Sequence, residues 1–148
     1  MEFHNDLNKV RRYMEQHGLI RGWNVTPQVE QKINELSEIC MSVYGRAAGD
    51  KRLIGWFPFS DVVEKDGSTT FEGHHADGFV IVPSSAPGDA LIGIRQSLLM
   101  SAPMTYLVFG VGLHEVAHLR YDAHDDDFNQ YLLFLQYDLA FEMKPNRC

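Results

Sequence analysis

One run of five residues, His114-Glu115-Val116-Ala117-His118, restricts what this chain can fold into more than any other feature of the sequence. On a helix, residues four apart lie on the same face, so His114 and His118 would both point at one metal ion, with Glu115 beside them as a general base. A turn after His118 would bring His124 to the same ion. Three neutral imidazoles leave the fourth position of a zinc ion open to water, as in catalytic sites. We therefore predict that His114, His118 and His124 bind Zn2+ and that Glu115 is the catalytic residue.

The residues around this run favour a buried helix, which we call the motif helix. Leu107, Val111 and Tyr121 share one helical stripe with the two histidines, and further apolar residues cover the other faces. A helix that is apolar on nearly all sides usually lies in the centre of a domain, where histidines beside a glutamate are costly without a partner such as a metal. The alternative is a surface helix with ordinary histidines. Chance would give the three-histidine spacing in about one chain in a thousand of this composition, which favours the metal site.

The spacing of the three histidines resembles that of the metzincin-type zinc proteases. The continuation His124-Asp125-Asp126-Asp127-Phe128 resembles the H-D-x-x-F of the WLM and SprT (Spartan)-like proteases, and the resemblance extends over about residues 89–139. It implies a zincin-like fold and a zinc-dependent metallopeptidase, in which Glu115 activates a metal-bound water to hydrolyse a protein or peptide. Those families usually carry a glycine between the second and third histidines, and this chain has none there. Asp122 tolerates the left-handed conformation that such a turn uses.

Two other functions stay open at this point. The run from His118 to His124 is similar to the H-L-x-G-Y-D-H of YbeY-type endoribonucleases, which share the histidine spacing but normally lack a glutamate at the position of Glu115. The third possibility is a non-catalytic zinc-binding domain that acts with a partner protein. The formal net charge of −7 at pH 7 argues against nucleic acid as a partner.

Length and composition predict a single domain over residues 1–148, long enough to form its own core. No apolar run reaches the roughly 18 residues of a membrane span, and we expect no signal peptide at the N-terminus. The two cysteines are Cys40, at a core position of a predicted helix, and Cys148. We therefore expect no disulfide and a reducing, cytoplasmic setting, with no membrane partner.

The pattern along the chain predicts an α+β fold: a small, mostly antiparallel sheet of three to five strands, packed on helices around the motif helix. A first helix of about fifteen residues ends at Gly18, and a second begins at Thr26-Pro27 and ends near Gly45 or Gly49. The motif helix should begin near Ser101, as its cap, with Pro103 in its first turn. The predicted strands lie at residues 53–59, 69–71, 78–83 and 89–95, and a closing helix follows the aspartates at 125–127 until Lys144-Pro145. Apolar residues from Phe128 to Leu139 recur at helical spacing in this helix. We expect Asp125 to cap it; the alternative is that Asp125 orients a ligand histidine.

Several positions around the predicted site carry further expectations. By resemblance, strand Leu91–Arg95 borders the cleft and offers an open edge to an extended substrate; the alternative is an ordinary interior strand. Gly110 and Gly112 inside the motif helix indicate close approach of another element. The pair His74-His75 is either a second metal site or solvated surface. By residue type alone, the candidates for stabilising a negatively charged reaction oxygen are tyrosines (Tyr121, Tyr131 and Tyr137).

Overall fold

The computed structural model describes residues 4–19, 25–43, 51–59 and 77–143. These ranges form a mixed α+β structure, as predicted. The elements in chain order are α1 (Leu7–Gln16), α2 (Pro27–Ser42), β1 (Arg52–Phe59), β2 (Gly78–Ile81), β3 (Asp89–Arg95), α3 (Gln96–Ser101), α4 (Met104–Tyr106), a π-helical segment (Leu107–Gly112), α5 (Leu113–His118) and α6 (Asp126–Met143). Among the described helices, none is both long enough and apolar enough to cross a bilayer. The predicted strand at 69–71, His74-His75, Lys144-Pro145 and Cys148 lie outside the described residues.

The first two helices begin where local chemistry satisfies their free N–H groups. Asp6 caps α1 by accepting hydrogen bonds from the next turn, and Thr26 caps α2 by accepting one from the Val29 amide at 3.3 Å, with Pro27 as the first helical residue. Gly18 follows α1 with a φ of +68°, a left-handed conformation that suits glycine and ends the helix. The predicted start of α2 and the predicted stop of α1 are confirmed, but α1 begins later than expected and has 10 residues rather than about fifteen. Gly45 and Gly49, near which α2 was expected to end, lie outside the described residues.

The described strands form a three-stranded sheet in the order β1-β3-β2. β1 runs parallel to β3 along its whole length, and β2 pairs antiparallel with β3 over the shorter stretch from Gly78 to Ile81. The prediction of a mostly antiparallel sheet is therefore wrong for the described strands, because side-chain alternation is the same in both directions and does not report strand direction. β3 is the central strand, so the expectation that its edge is open is also wrong.

Both faces of the sheet are covered, and successive side chains of each strand point alternately into the two cores. Trp56, Ile92 and Ile94 are buried on the side of α2 and the motif helix, whereas Phe57 and Leu91 are buried on the opposite side. The second side is closed by apolar residues of α1 (Val10 and Met14). Burial on both faces explains why β3 reads as a nearly continuous apolar run.

A polar cluster ties α1 to the same end of β1 and β3. Asp89 accepts hydrogen bonds from the Tyr13 hydroxyl at 2.6 Å and from Arg52 Nε at 3.0 Å. Hydrogen bonds from Arg52 and Tyr13 lower the pKa of Asp89. Burial, followed by the contact with Asp89, raises the pKa of Tyr13 to about 12. The cluster holds the helix in register with the sheet.

The motif helix runs without interruption from α4 through the π-helical segment into α5. Its predicted cap is wrong: Ser101 is the last residue of α3, and its hydroxyl donates to the Ser97 carbonyl at 2.9 Å. Pro103 precedes the first helical residue instead of lying in the first turn. The residues expected at the start of the motif helix therefore belong to a separate helix, α3, and to the short connection that follows it.

α2 packs closely against the motif helix at Gly112. A Cβ atom at this position would lie 2.5 Å from Cys40 Sγ, closer than real Cβ contacts come, and 3.2 Å from Leu36 Cδ1, which is tight. The predicted close approach is confirmed at Gly112, and the approaching element is a helix. At Gly110 the nearest atoms belong to the ring of Tyr106 in the same helix, 2.9 Å away.

Gly112→Ala should destabilise the protein by about 1–3 kcal/mol, because the added methyl group overpacks the contact with Cys40. Cys40→Ala should recover part of this loss in the double variant, since it removes the atom that the methyl group meets. Urea unfolding followed by circular dichroism measures the difference. Gly88→Ala is the control, because a Cβ there meets nothing within 4 Å. Equal stability of Gly112→Ala and Gly88→Ala would contradict the packing described.

Candidate metal centre

The structure brings the three predicted histidines together at the end of the motif helix. His118 Nε2 lies 2.8 Å from His124 Nε2 and 3.2 Å from His114 Nε2, and the third pair is also 3.2 Å apart. In a tetrahedral zinc site with Zn–N bonds of about 2.0–2.1 Å, two nitrogens lie about 3.3 Å apart. The three side chains therefore fit one metal ion, and among the described residues they form a cluster suited to this.

The orientation of His118 is fixed by the turn that follows α5. Its Nδ1 lies 3.1 Å from the carbonyl oxygen of Tyr121. A carbonyl only accepts, so Nδ1 must carry the proton, and in the neutral ring the Nε2 lone pair then points toward the other two histidines. The amide of Tyr121 donates in turn to the Ala117 carbonyl at 3.0 Å, which closes the turn that leads to His124. Such a hydrogen bond to the rear of a ligand imidazole is typical of metal sites.

Phe128 lies against all three imidazoles. Its ring centroid is 4.5 Å from that of His118, 4.9 Å from His124 and 5.0 Å from His114, and the side chain is fully buried. The Phe128 amide donates to Asp125 Oδ1 at 3.0 Å, so the predicted capping role of Asp125 at the start of α6 is confirmed. Helical spacing marked Phe128 as a core residue in the sequence, but its contact with the histidines was missed.

The surroundings of His114 and His118 favour the neutral forms of these two imidazoles. The pKa of His114 is lowered, first by burial and then by the neighbouring imidazoles of His118 and His124. The pKa of His118 is also lowered, again mainly by burial. Neutral imidazoles are the form that binds a metal, so the site is ready for a cation near neutral pH.

Glu115 is the buried carboxylate of this site, with 6% of its surface exposed. Burial raises its pKa to about 7. Its Cγ lies next to Gly78 of β2, where a Cβ atom would come within 3.1 Å of both Glu115 Cγ and Val111 Cγ1. The absence of a side chain at Gly78 leaves the space in which Glu115 lies.

A cleft of about 510 Å3 opens over the histidines and Glu115. One wall is the motif helix at Gly110 and Val111, and the other is β2 and its flanks at residues 77–80 and 82. β2 thus takes the place that the sequence analysis assigned to β3. Neither this wall nor the importance of Gly78 was foreseen, because the pairing of strands was unknown. The three candidate tyrosines do not line the cleft (Tyr121, Tyr131 and Tyr137).

Comparison with known proteins does not assign the chain to a family. No protein-family model matches the chain, and neither a curated protein nor a solved structure is significantly similar to it. The function proposed below therefore depends on the residues of the site and on their arrangement.

The purified protein should bind one zinc ion per chain, and His118→Ala should lower the bound metal to a small fraction of that, because it removes the central nitrogen of the cluster. Elemental analysis after dialysis against a fixed concentration of free zinc measures the ratio. His17→Ala is the matched control, since His17 Nδ1 pairs with Ser85 Oγ away from the cluster. Equal zinc content in both variants would show that His118 does not bind the zinc ion.

Metal-free Glu115→Gln should be more stable than the metal-free parent at pH 8, by about 2–3 kcal/mol, because a pKa raised to about 7 means that the folded state holds the ionised carboxylate at a cost. The advantage should shrink as the pH falls from 7 toward 4.5, where Glu115 becomes protonated in both the folded and unfolded states. Chemical unfolding in chelator at a series of pH values measures it. A difference that does not change with pH would contradict the burial of the charge.

Proposed function

We propose that this protein is a zinc-dependent metallopeptidase with a zincin-like catalytic site. His114, His118 and His124 would hold the metal, and Glu115 would act as general base. The observation that carries the proposal is that three imidazole nitrogens converge within 3.2 Å of one another beside a buried carboxylate, at the base of an open cleft. When bound, zinc would supply a Lewis acid that polarises a carbonyl group and lowers the pKa of coordinated water.

Glu115 has the position and the chemistry for proton transfer. It is adjacent in sequence to His114 and lines the same cleft, and its burial makes it a stronger base than an exposed glutamate. In peptide hydrolysis it would accept a proton from the attacking water and deliver it to the leaving amine. Its Cγ lies beside Gly78 of β2, where the Val111 side chain also approaches.

β2 offers a place for an extended peptide. Four consecutive residues from Asp77 to Val80 line the cleft, which fits a strand that presents its edge, because one face alone would contribute every second residue. Among the described strands, β2 pairs with β3 and with no other. A substrate backbone could add to the outer edge of β2 and bring its scissile bond over the histidines.

The charges of the cleft favour a peptide over a nucleic acid. Its described lining contains one cation, Lys51, and three carboxylates, from Asp77, Glu115 and Asp122. With the proposed Zn2+ bound, these charges sum to about zero, so the cleft offers no basic surface to a polyanion, which does not favour the endoribonuclease alternative. The open cleft likewise favours catalysis over a closed zinc-binding module. A cytoplasmic setting belongs to the same proposal, and the buried free thiol of Cys40 agrees with a reducing compartment.

Glu115→Gln should retain zinc but lose cleavage of unstructured protein such as casein, with kcat lowered by a factor of about 100 to 10,000, the usual contribution of a general base. The zinc-loaded parent should cleave casein, should be inactive with chelator and should leave labelled RNA intact. Glu35→Gln is the matched control, because Glu35 is exposed on α2, outside the cleft.

Undiminished peptidase activity in Glu115→Gln would exclude Glu115 as the base. Chelator-sensitive cleavage of RNA, with casein intact, would overturn the peptidase proposal in favour of the ribonuclease. Zinc binding without hydrolysis of either substrate would favour the non-catalytic module.

A further inference from the structure

The outer edge of β1 is crossed by the residues that lead into α1. Among the described strands, β1 pairs with β3 and with no other, so its second edge has no described strand beside it. Leu7 packs into the core on the side of α2, whereas Val10, one turn later, packs into the core on the opposite side of the sheet. The start of α1 therefore passes from one face of the sheet to the other at this edge, and Asn5 lies directly before it.

Asn5 occupies the outward hydrogen-bonding groups of Trp56 at this edge. The Trp56 amide donates to Asn5 Oδ1 at 2.8 Å, and Asn5 Nδ2 donates to the Trp56 carbonyl oxygen at 3.1 Å. A side-chain amide carries a donor and an acceptor, as a peptide group does, so Asn5 takes the two bonds that a neighbouring strand would form. Nδ2 also donates to Asn34 Oδ1 of α2 at 3.1 Å, which holds the Asn5 side chain in this position.

Two other features of β1 leave Trp56 as the main point at which a strand could add. The pairing with β3 is irregular between Leu53 and Gly55, and a bulge interrupts the regular spacing of backbone groups. Pro58 lies two residues after Trp56, so its backbone faces the same edge, and it has no N–H to donate. Trp56 lies between these two positions, and Asn5 blocks it.

Gly55 lets Asn5 lie against the strand. A Cβ atom at this position would lie 2.9 Å from Asn5 Oδ1 and 2.5 Å from Val10 Cγ2, closer than real Cβ contacts come. A side chain at position 55 would therefore push Asn5 and α1 away from the edge. The contact depends on both partners: a glycine in the strand and an amide in the segment that crosses it.

We propose that Asn5 closes the outer edge of β1 and so prevents a strand from a second copy of this chain from adding to the sheet. An open edge presents unpaired N–H and C=O groups that another strand can bind, and proteins usually cover or interrupt such edges. Residues 53–57 of β1 are apolar and rich in strand-forming side chains, and identical segments of this kind pair with one another readily. None of the residues at this edge lines the cleft, so the proposal is independent of the proposed catalytic function.

Hydrogen exchange of the Trp56 amide, followed by NMR, tests the block directly. In dilute solution this amide should exchange at least about 10-fold faster in Asn5→Ala than in the parent, because the variant removes the acceptor Oδ1. At high concentration the exchange in Asn5→Ala should slow again, because a strand of the second copy then accepts the same hydrogen bond. Asp6→Ala is the matched control: it removes the cap of α1 next to Asn5, which lowers stability, but it leaves Asn5 paired with Trp56.

Analytical ultracentrifugation from about 1 to 500 µM measures the association itself. The parent and Asp6→Ala should keep the mass of one chain, 16.9 kDa, whereas the mass of Asn5→Ala should rise with concentration. Gly55→Ala should associate like Asn5→Ala although Asn5 is present, because its Cβ displaces Oδ1. Circular dichroism checks that each variant is folded at the concentrations compared.

An Asn5→Ala variant that stays monomeric at the highest concentration would overturn the proposal. Equal association of Asn5→Ala and Asp6→Ala would also overturn it, because lost stability would then be the cause. Association of Asn5→Ala with a Trp56 amide that still exchanges fast would place the added strand elsewhere and exclude the outer edge of β1.

Discussion

The contact of Phe128 with three imidazoles is the interaction on which the rest of the site depends. His114 and His118 come from α5, His124 from the turn after it, and Phe128 from the first turn of α6. The buried ring supports all three imidazoles from one side, so the relative position of these two helices sets the positions of the nitrogens. The three Nε2 atoms lie within 3.2 Å of one another, so that one metal ion could be held by all three. The contact of Phe128 with the imidazoles therefore helps to form a candidate metal site.

Close packing elsewhere places the motif helix where this contact can form. Gly112 lets α2 approach the helix until Cys40 Sγ leaves no room for a Cβ atom, and Gly78 lets β2 approach it beside Glu115. Each glycine removes a side chain at the point where two elements meet. The π-helical segment ends at Gly112, directly before α5, and irregular turns of this kind are frequent at functional sites.

Elements defined by local chemistry were predictable from the sequence. Thr26-Pro27 starts α2, Gly18 ends α1, and Asp125 caps α6, because each depends on hydrogen bonds or backbone angles within a few residues. The strands at 52–59, 78–81 and 89–95 also lie where alternation and apolar runs placed them. Their order and direction did not follow, because pairing is decided by contacts between residues far apart in the chain. Of the two alternatives for β3, an open edge beside the cleft and an interior strand, the interior strand is the one found, and the edge beside the cleft belongs to β2.

By itself, the sequence determined which residues are candidates for the metal centre. The four-residue spacing of His114 and His118 on a helix brings their side chains together whatever the rest of the fold, and it places Glu115 next to them. Only the tertiary structure decided that His124 turns back to within 2.8 Å of His118, that Phe128 supports the cluster, and that β2 forms the wall of the cleft. The physical reason is distance along the chain: helical geometry fixes neighbours four residues apart, whereas loops and strand pairing depend on which distant surfaces bury each other best.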